Sequence, residues 1–352
     1  GHFIFRDKSY LEEVPEEGEF VRWLQSKNYK FEPQSLFKTH EYGLIEEWEK
    51  LPKTKCRPFN RMEIGGNRIY KYPIDEQGKT LAKREANWYK TIQRTHFDNI
   101  PTIYGYNPLC MERIDGKNIY EYNSIPIEDK KTILKQIIEC LKKVHEIGVI
   151  QADKASFKVA YLDKTYDRLK KVRHLVPFAN DEFVIVNGKK CRNIFYNQEL
   201  VEKTVMQFMP TEFKFIHGDC TFSNIMLKDD KIPVLIDPRG YFGTTELYGD
   251  PSYDWVKLYY SVVSNYDQFN LKKFDLMIND SDVELNIASN NWEMLEDEFF
   301  ELLNGEVTKK QMKMLLSLVW LSLTTYAWED YDSICGAFYN GLYYLEEALS
   351  NE

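Results

Sequence analysis

The chain has 352 residues, of which 43% are hydrophobic and 15% aromatic, so it can bury the core of one large or two medium domains and is not a disordered protein. A net charge of −9, from 46 Lys and Arg against 55 Asp and Glu, argues against a general nucleic-acid binder. It leaves room for a local nucleotide site and would tolerate a cationic substrate such as an amine.

Several further classes are disfavoured by pattern. The most apolar stretch, residues 314–327, is too short to span a bilayer and is interrupted by hydroxyl residues, and no signal peptide is visible. The six cysteines form no C-x-x-C pair, which favours free thiols in a reducing, cytoplasmic compartment. The chain begins Gly1-His2 without methionine, which is typical of a cloning scar and leaves open a longer native protein with an upstream domain.

The first part of the chain predicts short helices and then a hairpin. Residues 1–50, with helices near 19–24 and 41–51, are interpreted as a cap or connector packed on the first lobe. Residues 60–72 predict a β-hairpin, because alternating apolar positions flank a Gly-Gly-Asn turn. Residues 81–93 predict a helix, and an apolar strand with a charged end follows at 109–116.

A long helix and an insertion come next. Residues 124–148 predict a helix that begins near a proline, carries one apolar stripe and stops at a glycine. Between this helix and residue 213, the pattern predicts a helix at 161–172, a hairpin at 183–194 with an Asn-Gly turn, and a helix at 199–208.

The most informative stretch is Phe213 to Gly240, FKFIHGDCTFSNIMLKDDKIPVLIDPRG. A short apolar strand leads into His217 and Asp219, and Asn224 follows five positions later. Two further strands then end on Asp237. Two carboxylates and a carboxamide therefore lie at the ends of short strands, where loops can direct them to one point.

Phosphoryl transfer requires such groups, since Mg2+ takes hard oxygen ligands and the acceptor hydroxyl needs an oxygen base. The spacing H-x-D-x-x-x-x-N, followed by a strand and a second Asp, is the pattern of protein-kinase-like enzymes. With H-G-D in place of H-R-D and a D-x-x-G-like turn, the stretch resembles the aminoglycoside phosphotransferase and choline kinase family. The resemblance implies Asp219 as catalytic base, His217 as a brace of the catalytic loop, and Asn224 and Asp237 as Mg2+ ligands. The alternative is a β-hairpin with ordinary turn carboxylates.

The resemblance implies a nucleotide site for ATP as well. Lys71 lies in an otherwise apolar strand, and a lysine there needs an anionic partner. It would hold the phosphates, and Glu85, fourteen residues later, would be its partner. The alternative is a solvated surface position for each. The backbones of Glu112 and Ile114 would hold the adenine, and Arg239 would either stabilise phosphate charge or brace the loop.

Other segments carry weaker signals. The expected phosphate-covering loop, residues 53–60, has no glycine, which departs from the glycine-rich loop of protein kinases. Asp254, in a G-D-P-x-Y-D segment like the family's, would hold the catalytic loop, whereas from the residues alone Asp250 or Ser252 is equally a helix N-cap. Cys220 lies inside the catalytic loop, so a packing role is favoured over a thiol nucleophile.

The tail, residues 283–352, is predicted to be helical, most clearly at 309–328 and 336–349. Acidic and aromatic residues at 328–332 lie between these helices. They would suit a cationic acceptor through ion pairs and cation–π contacts, or they form an ordinary charged turn.

Together these features predict a two-lobed, protein-kinase-like α+β fold with a cap at 1–50, a small β-rich lobe at 51–111 and a large helical lobe at 112–352. The predicted activity is Mg2+-dependent transfer of the ATP γ-phosphate to a hydroxyl of a small molecule. The favoured acceptor is a sugar or amino alcohol of surface-polysaccharide metabolism. An aminoglycoside acceptor and a non-catalytic nucleotide-binding regulatory module are the alternatives. In the resembling family the insertion before residue 213 carries acceptor specificity.

Overall fold

The structure, a computed structural model, describes residues 9, 12–15, 20–27, 29–30, 59–325 and 330–350. Two units are present, residues 1–55 and 56–352. Within the first, one helix is described, α1 (Phe20–Ser26), close to the helix expected at 19–24. The helix expected at 41–51 and the glycine-free loop up to residue 58 lie outside the described residues.

Helices supply most of the second unit. Their bounds are α2 Glu76–Ile92, α3 Ile127–His145, α4 Lys154–Lys158, α5 Lys164–Val172, α6 Gln198–Met206, α7 Pro251–Val262, α8 Tyr266–Asn270, α9 Glu296–Leu303, α10 Lys309–Leu323 and α11 Tyr331–Leu349. A π-helical turn, Val159–Asp163, leads directly into α5. Helix α2 begins five residues before the predicted start at Leu81, because the Asp75 side chain accepts a hydrogen bond from the Gly78 N–H and caps the helix there.

The strands of this unit form several small sheets. Their bounds are β1 Asn60–Gly65, β2 Arg68–Pro73, β3 Ile103–Tyr106, β4 Leu109–Glu112, β5 Gly116–Asn118, β6 Val149–Gln151, β7 Phe183–Val186, β8 Lys189–Arg192, β9 Glu212–Phe215, β10 Ile225–Lys228, β11 Ile232–Leu235, β12 Tyr241–Phe242, β13 Thr245–Glu246, β14 Tyr248–Gly249, β15 Phe274–Ile278 and β16 Val283–Ile287. The first sheet has the order β1-β2-β4-β3.

Two of these sheets position the site. In the first, Lys71 of β2 pairs with Met62 of β1 and Leu109 of β4. The chain leaves β4 and forms β5, which pairs with β10, the strand that follows the catalytic loop. Lys228 of β10 is also ion-paired with Glu112 of β4 at 2.9 Å. The segment between β4 and β5 therefore connects the first sheet to the strands that carry the catalytic residues.

The prediction of a wholly helical tail is wrong. Strands β15 and β16 form an antiparallel hairpin, and β16 pairs with β7, which gives the sheet order β15-β16-β7-β8. The β16 segment VELNI alternates apolar and polar residues, which is the period of a half-buried strand, and in β15, FDLMI, the exposed positions alternate with less exposed ones. Helix α10 also ends at Leu323, before the predicted end at residue 328.

The core lies between helices α3, α7, α10 and α11. All apolar positions predicted for the α3 stripe are buried: Ile133, Leu134, Ile137, Ile138, Leu141 and Val144. The described cysteines are free and buried. Among the helices of the described residues, none is long and apolar enough to cross a membrane.

Candidate active site

The catalytic loop His217-Gly218-Asp219 follows strand β9 and is held from beneath by Asp254 of helix α7. The Asp254 carboxylate accepts hydrogen bonds from the backbone N–H of His217 at 2.9 Å and of Gly218 at 2.7 Å. It also lies 3.0 Å from Nε2 of the buried His145. Burial alone would raise the pKa of Asp254, but the interactions with His145 and with His217 outweigh it and hold the pKa below its ordinary value.

Gly218 has a backbone conformation that only glycine adopts at low cost. Its φ is +81°, and a Cβ at this position would lie 2.9 Å from Cβ of Arg239. The Arg239 N–H donates to the His217 carbonyl at 2.9 Å. The H-G-D spacing thus lets the catalytic loop pass close to the loop that carries Asp237.

His217 is buried and braces both loops through its ring. Nε2 lies 3.0 Å from the carbonyl oxygen of Ile236, and Nδ1 accepts a hydrogen bond from the Asp219 N–H at 3.2 Å. Burial lowers the pKa of His217 despite the nearby carboxylates, so the ring is neutral at pH 7. This placement connects the residue before Asp237 to Asp219 through one imidazole.

Asp219 is contacted by an amide and by an ammonium group. Nδ2 of Asn224 donates to the Asp219 carbonyl at 2.8 Å and to Oδ2 at 3.2 Å. Nζ of Lys257, on helix α7, lies 2.8 Å from Oδ1. Burial alone would lower the pKa of Lys257, but the negative charge of Asp219 raises it above its ordinary value. The Lys257 ammonium group therefore stays charged beside Asp219.

Lys71 brings a second carboxylate to the same region. Its Nζ lies 2.7 Å from Oε2 of Glu85 on helix α2 and 2.5 Å from Oδ1 of Asp237. Burial would lower the pKa of Lys71, but Glu85 and Asp237 together raise it above its ordinary value. The structure thus joins Lys71, Glu85 and Asp237, which the sequence separates by up to 166 positions.

The donor set near these residues fits Mg2+. Asp237 has a φ of +55°, an uncommon backbone for a residue other than glycine, at the end of the strand that directs its side chain. Asn224 uses its amide nitrogen on Asp219, so its amide oxygen is the atom that would face a metal ion. Mg2+ is commonly held by one or two such protein oxygens together with phosphate oxygens and water. Within the described ranges, no group of three or more His, Cys, Asp or Glu could hold a metal ion.

The expected adenine-binding segment lies at the end of β4. The Glu112 N–H donates to the Thr102 carbonyl at 2.8 Å, so a nucleotide contact from this residue would use its carbonyl oxygen. Its carboxylate is ion-paired with Lys228 and accepts a hydrogen bond from the Thr102 hydroxyl. Ile114 is buried at the start of the segment leading to β5.

Arg239 belongs to a group of cations that the sequence did not reveal. Its Nη2 donates to the Tyr241 hydroxyl at 2.9 Å and its Nη1 to the Tyr253 hydroxyl at 3.3 Å. Nζ of Lys164, on α5, donates to the same Tyr253 hydroxyl at 3.4 Å. Burial lowers the pKa of Lys164, and the positive charges of Arg239, Arg168 and Lys257 lower it further. The negative charge of Asp219 raises it. We refer to Lys164, Arg168, Arg239 and Lys257 as the basic cluster.

Two other features named from the sequence make packing or helix-capping contacts. Cys220 is buried, burial raises the pKa of its thiol well above the ordinary value, and its Sγ donates to the Asp254 carbonyl at 3.0 Å, which is a packing role. In the expected acidic and aromatic segment, residues 328 and 329 lie outside the described residues. Asp330 is ion-paired with Lys272 and caps α11 through the Asp332 N–H.

Lys257 and Lys164 are the site residues that sequence reasoning missed. Lys257 lies three positions after Asp254, one turn along the same helix face, so the assignment of Asp254 to the loop could have indicated it. Lys164 and Arg168 are four positions apart on α5 and share a face, but nothing local to α5 indicates that this face meets the catalytic loop.

Comparisons with known proteins agree with this geometry. Residues 78–274, more than half of the chain, match the profile of the phosphotransferase enzyme family. A choline/ethanolamine kinase family protein from Mesorhizobium loti superposes with a TM-score of 0.53 at 14% identity, covering 83% of this chain and 87% of that chain. A glucosamine kinase in complex with glucosamine, ADP and inorganic phosphate gives 0.53 at 13% identity, with 83% and 79% covered.

An ADP-bound aminoglycoside phosphotransferase, APH(2'')-Ib, gives a TM-score of 0.50 at 15% identity, covering 86% of this chain and 99% of that chain. Identities this low show the fold alone, and the fold is the two-lobed, protein-kinase-like α+β fold that the sequence predicts. No curated protein sequence gives a significant match.

Proposed function

This chain belongs to the phosphotransferase enzyme family, and we propose that it transfers the γ-phosphate of ATP, with Mg2+, to a hydroxyl group of a small molecule. The observation that carries the proposal is the double contact of Lys71 Nζ with Glu85 and Asp237, at 2.7 and 2.5 Å. It joins the β-rich part of the chain to the loop after β11. A phosphate-binding cation and a metal-binding carboxylate are thereby next to each other, as the reaction requires.

Asp219 acts as the base in this proposal. Its carboxylate accepts the proton of the acceptor hydroxyl as the oxygen attacks the terminal phosphorus, and the bond from that phosphorus to the ADP oxygen breaks. Asn224 and Lys257 orient the carboxylate through contacts of 3.2 and 2.8 Å. His217 fixes the loop from below through its bonds to Ile236 and to the Asp219 N–H.

Mg2+ and the nucleotide are assigned to the remaining residues. Asn224 and Asp237 would hold Mg2+, which neutralises charge on the transferred phosphoryl group when it is bound. Lys71 would hold the phosphates, with Glu85 orienting its ammonium group. The Glu112 carbonyl and the Ile114 N–H would meet the adenine edge.

For the acceptor, we propose a sugar or amino alcohol of surface-polysaccharide metabolism. The test is ATP consumption with Mg2+ against a panel of sugars, sugar acids, choline, ethanolamine and aminoglycosides, with the Asp219→Asn variant alongside. Turnover should fall about 100- to 10,000-fold in this variant, as is usual when a general base is lost, while Mg-ATP binding stays within about threefold.

Asp297→Asn is the matched control, because Asp297 is exposed and ion-paired with the exposed Lys309. It should leave turnover unchanged. Mg2+-dependent ATP binding without turnover of any panel member would favour the regulatory module over the kinase. Failure of Asp237→Ala to weaken Mg-ATP binding would refute the metal-site assignment.

A further inference from the structure

The basic cluster defined above places like charges close together beside Asp219. Both Lys164 Nζ and Arg239 Nη1 donate to the single hydroxyl oxygen of Tyr253, at 3.4 and 3.3 Å. The two cationic groups are thus within about 7 Å of each other in a partly buried region. Two like charges at this separation repel, so an anion bound between them would relieve the repulsion.

The electrostatic surroundings of Lys164 point the same way. Burial lowers the pKa of Lys164 well below its ordinary value, and the charges of Arg239, Arg168 and Lys257 lower it further. Asp219 opposes this effect, but its carboxylate is already ion-paired with Lys257 at 2.8 Å. These surroundings disfavour the ammonium form of Lys164, so an anion bound beside it would stabilise that form and a cationic amine would not.

Helix α5 contributes two members of the cluster, from a part of the chain separate from Lys71 and Glu85. Lys164 and Arg168 are four positions apart on one face, where like charges destabilise a helix. Arg168 is anchored there by a 2.7 Å hydrogen bond from Nη1 to the Ser322 carbonyl. The residues assigned to the phosphates, Lys71 and Glu85, come instead from β2 and α2.

We propose that the hydroxyl acceptor carries an anionic group, a carboxylate or a phosphate ester, and that Lys164, Arg168 and Arg239 bind this group next to Asp219. The acceptor is then a hydroxy acid or sugar acid, or a phosphorylated alcohol or sugar. This narrows the acceptor proposed above to its anionic members and replaces the amino alcohols, so choline, ethanolamine and aminoglycosides are excluded as good substrates. The inference rests on the proposed kinase function and specifies its acceptor.

The same oxyanion chemistry has two possible sources, the acceptor and the terminal phosphate of the nucleotide. The cluster favours the acceptor because Lys164 and Arg168 contact Tyr253 and the Ser322 carbonyl, whereas Lys71 and Asp237 already meet at the end assigned to the phosphates. If the nucleotide is the source instead, loss of Lys164 weakens Mg-ATP binding in the absence of any acceptor. Equilibrium binding of Mg-ATP therefore separates the two sources.

The first arm of the test compares acceptors that differ in charge at one group. Glucose, glucuronate, glucose 6-phosphate and glucosamine form one set, and glycerol, glycerate, glycerol 3-phosphate and ethanolamine form another. The expected result is a kcat/KM at least about tenfold higher for an anionic member than for its neutral and cationic counterparts, as one charge-assisted contact can supply. Preference for a neutral or cationic member in both sets would overturn the proposal.

The second arm removes one charge. Lys164→Gln should raise KM of the preferred anionic acceptor at least about tenfold and change kcat and Mg-ATP affinity less than about threefold. Lys170→Gln is the control on the same helix, because the Lys170 side chain is 73% exposed and is ion-paired with the exposed Asp167. An equal effect of both variants, or an effect of Lys164→Gln on Mg-ATP alone, would refute the assignment.

The third arm does not depend on turnover. Inorganic phosphate is titrated calorimetrically into the protein saturated with Mg-ADP, in the wild type and in Lys164→Gln. Saturable binding that weakens at least about tenfold in Lys164→Gln, but not in Lys170→Gln, supports an anion site at α5. No binding, or equal binding in all three proteins, overturns it. Failure of the kinase proposal is separate, since it appears as absence of turnover with every acceptor.

Discussion

The clearest single perturbation is Asp254→Asn, which changes one buried carboxylate beneath the catalytic loop. The carboxylate accepts from the N–H groups of His217 and Gly218 at 2.9 and 2.7 Å, on different oxygens. An asparagine keeps one acceptor oxygen, so one N–H would face an NH2 group and the charge would be lost. Hydrogen bonds to charged groups contribute about 1.5–3 kcal/mol each, so we expect a loss of about 2–4 kcal/mol in the free energy of unfolding.

This loss corresponds to a fall in Tm of about 3–5 °C for a chain of this size. Because Asp219 follows Gly218 directly, a shift of the loop also misplaces the base, and a displacement of about 1 Å can cost about 100-fold in rate. We expect kcat to fall about 100-fold when it is measured well below the Tm, with the Kd of Mg-ATP changed less than about threefold.

Asp250→Asn is the matched control for Asp254→Asn. Asp250 is also buried and lies at the start of the same helix, but its carboxylate accepts from the Ser252 N–H and the Tyr161 hydroxyl, both at 2.9 Å, and not from the loop. The Asp250→Asn variant should keep kcat within about twofold of the wild type. If Asp254→Asn keeps kcat as Asp250→Asn does, the loop is held by other contacts and the reasoning fails.

Three further predictions follow from local geometry. Gly218→Ala should abolish most activity and destabilise the fold, because it combines a left-handed φ with a Cβ that would lie only 2.9 Å from Cβ of Arg239. Gly66→Ala, with a φ of +61° and open space around it, should lower the free energy of unfolding by only about 1–2 kcal/mol and leave kcat unchanged. Circular-dichroism melts and initial rates measure both variants. Lys71→Met should lower kcat/KM for Mg-ATP at least about 100-fold. Glu85→Gln should lower it about tenfold, since the glutamine keeps a neutral contact to the lysine. Equal, small effects of the two variants in steady-state kinetics would contradict the role of Lys71 in phosphate binding. Burial raises the pKa of Asp250 to about 6, above its value in the unfolded chain. Protonation of Asp250 therefore stabilises the fold below about pH 4, and this stabilisation is lost as the pH rises through about 6. The free energy of unfolding of Asp250→Asn relative to wild type should rise by about 1 kcal/mol from pH 5 to pH 8, and a flat difference in urea melts would contradict the pKa shift.

The sequence predicts the family and the fold because the informative residues lie within one short stretch. His217, Asp219, Asn224 and Asp237 have fixed spacings around strands of four residues, so the whole pattern can be read within one short segment of the sequence. The family profile and the solved structures confirm these two predictions. The roles of the individual residues stay predictions that the variants above test.

The errors fall where tertiary contacts decide the outcome. The alternation in β16, at the start of the tail, is readable in the sequence, but the aromatic-rich helices of the tail favour a helical prediction. The start of α2 depended on one capping side chain, Asp75, six residues before the predicted start. Helix ends and short strands are set by such single contacts, so pattern alone does not locate them.

Charge shows most clearly what composition cannot supply. An overall charge of −9 suggests tolerance for a cationic substrate, yet Lys257 of α7 is ion-paired with Asp219, and Lys164 of α5 and Arg239 of the loop after β11 share the Tyr253 hydroxyl. Nothing along the chain places Lys164 near Arg239, because 75 positions separate them and only the shared Tyr253 hydroxyl reveals their contact. Over distances of a few ångströms, the energy of an ion depends on its immediate neighbours and little on net charge, which solvent and salt screen. The local cluster, rather than the composition, therefore determines the charge expected of the acceptor.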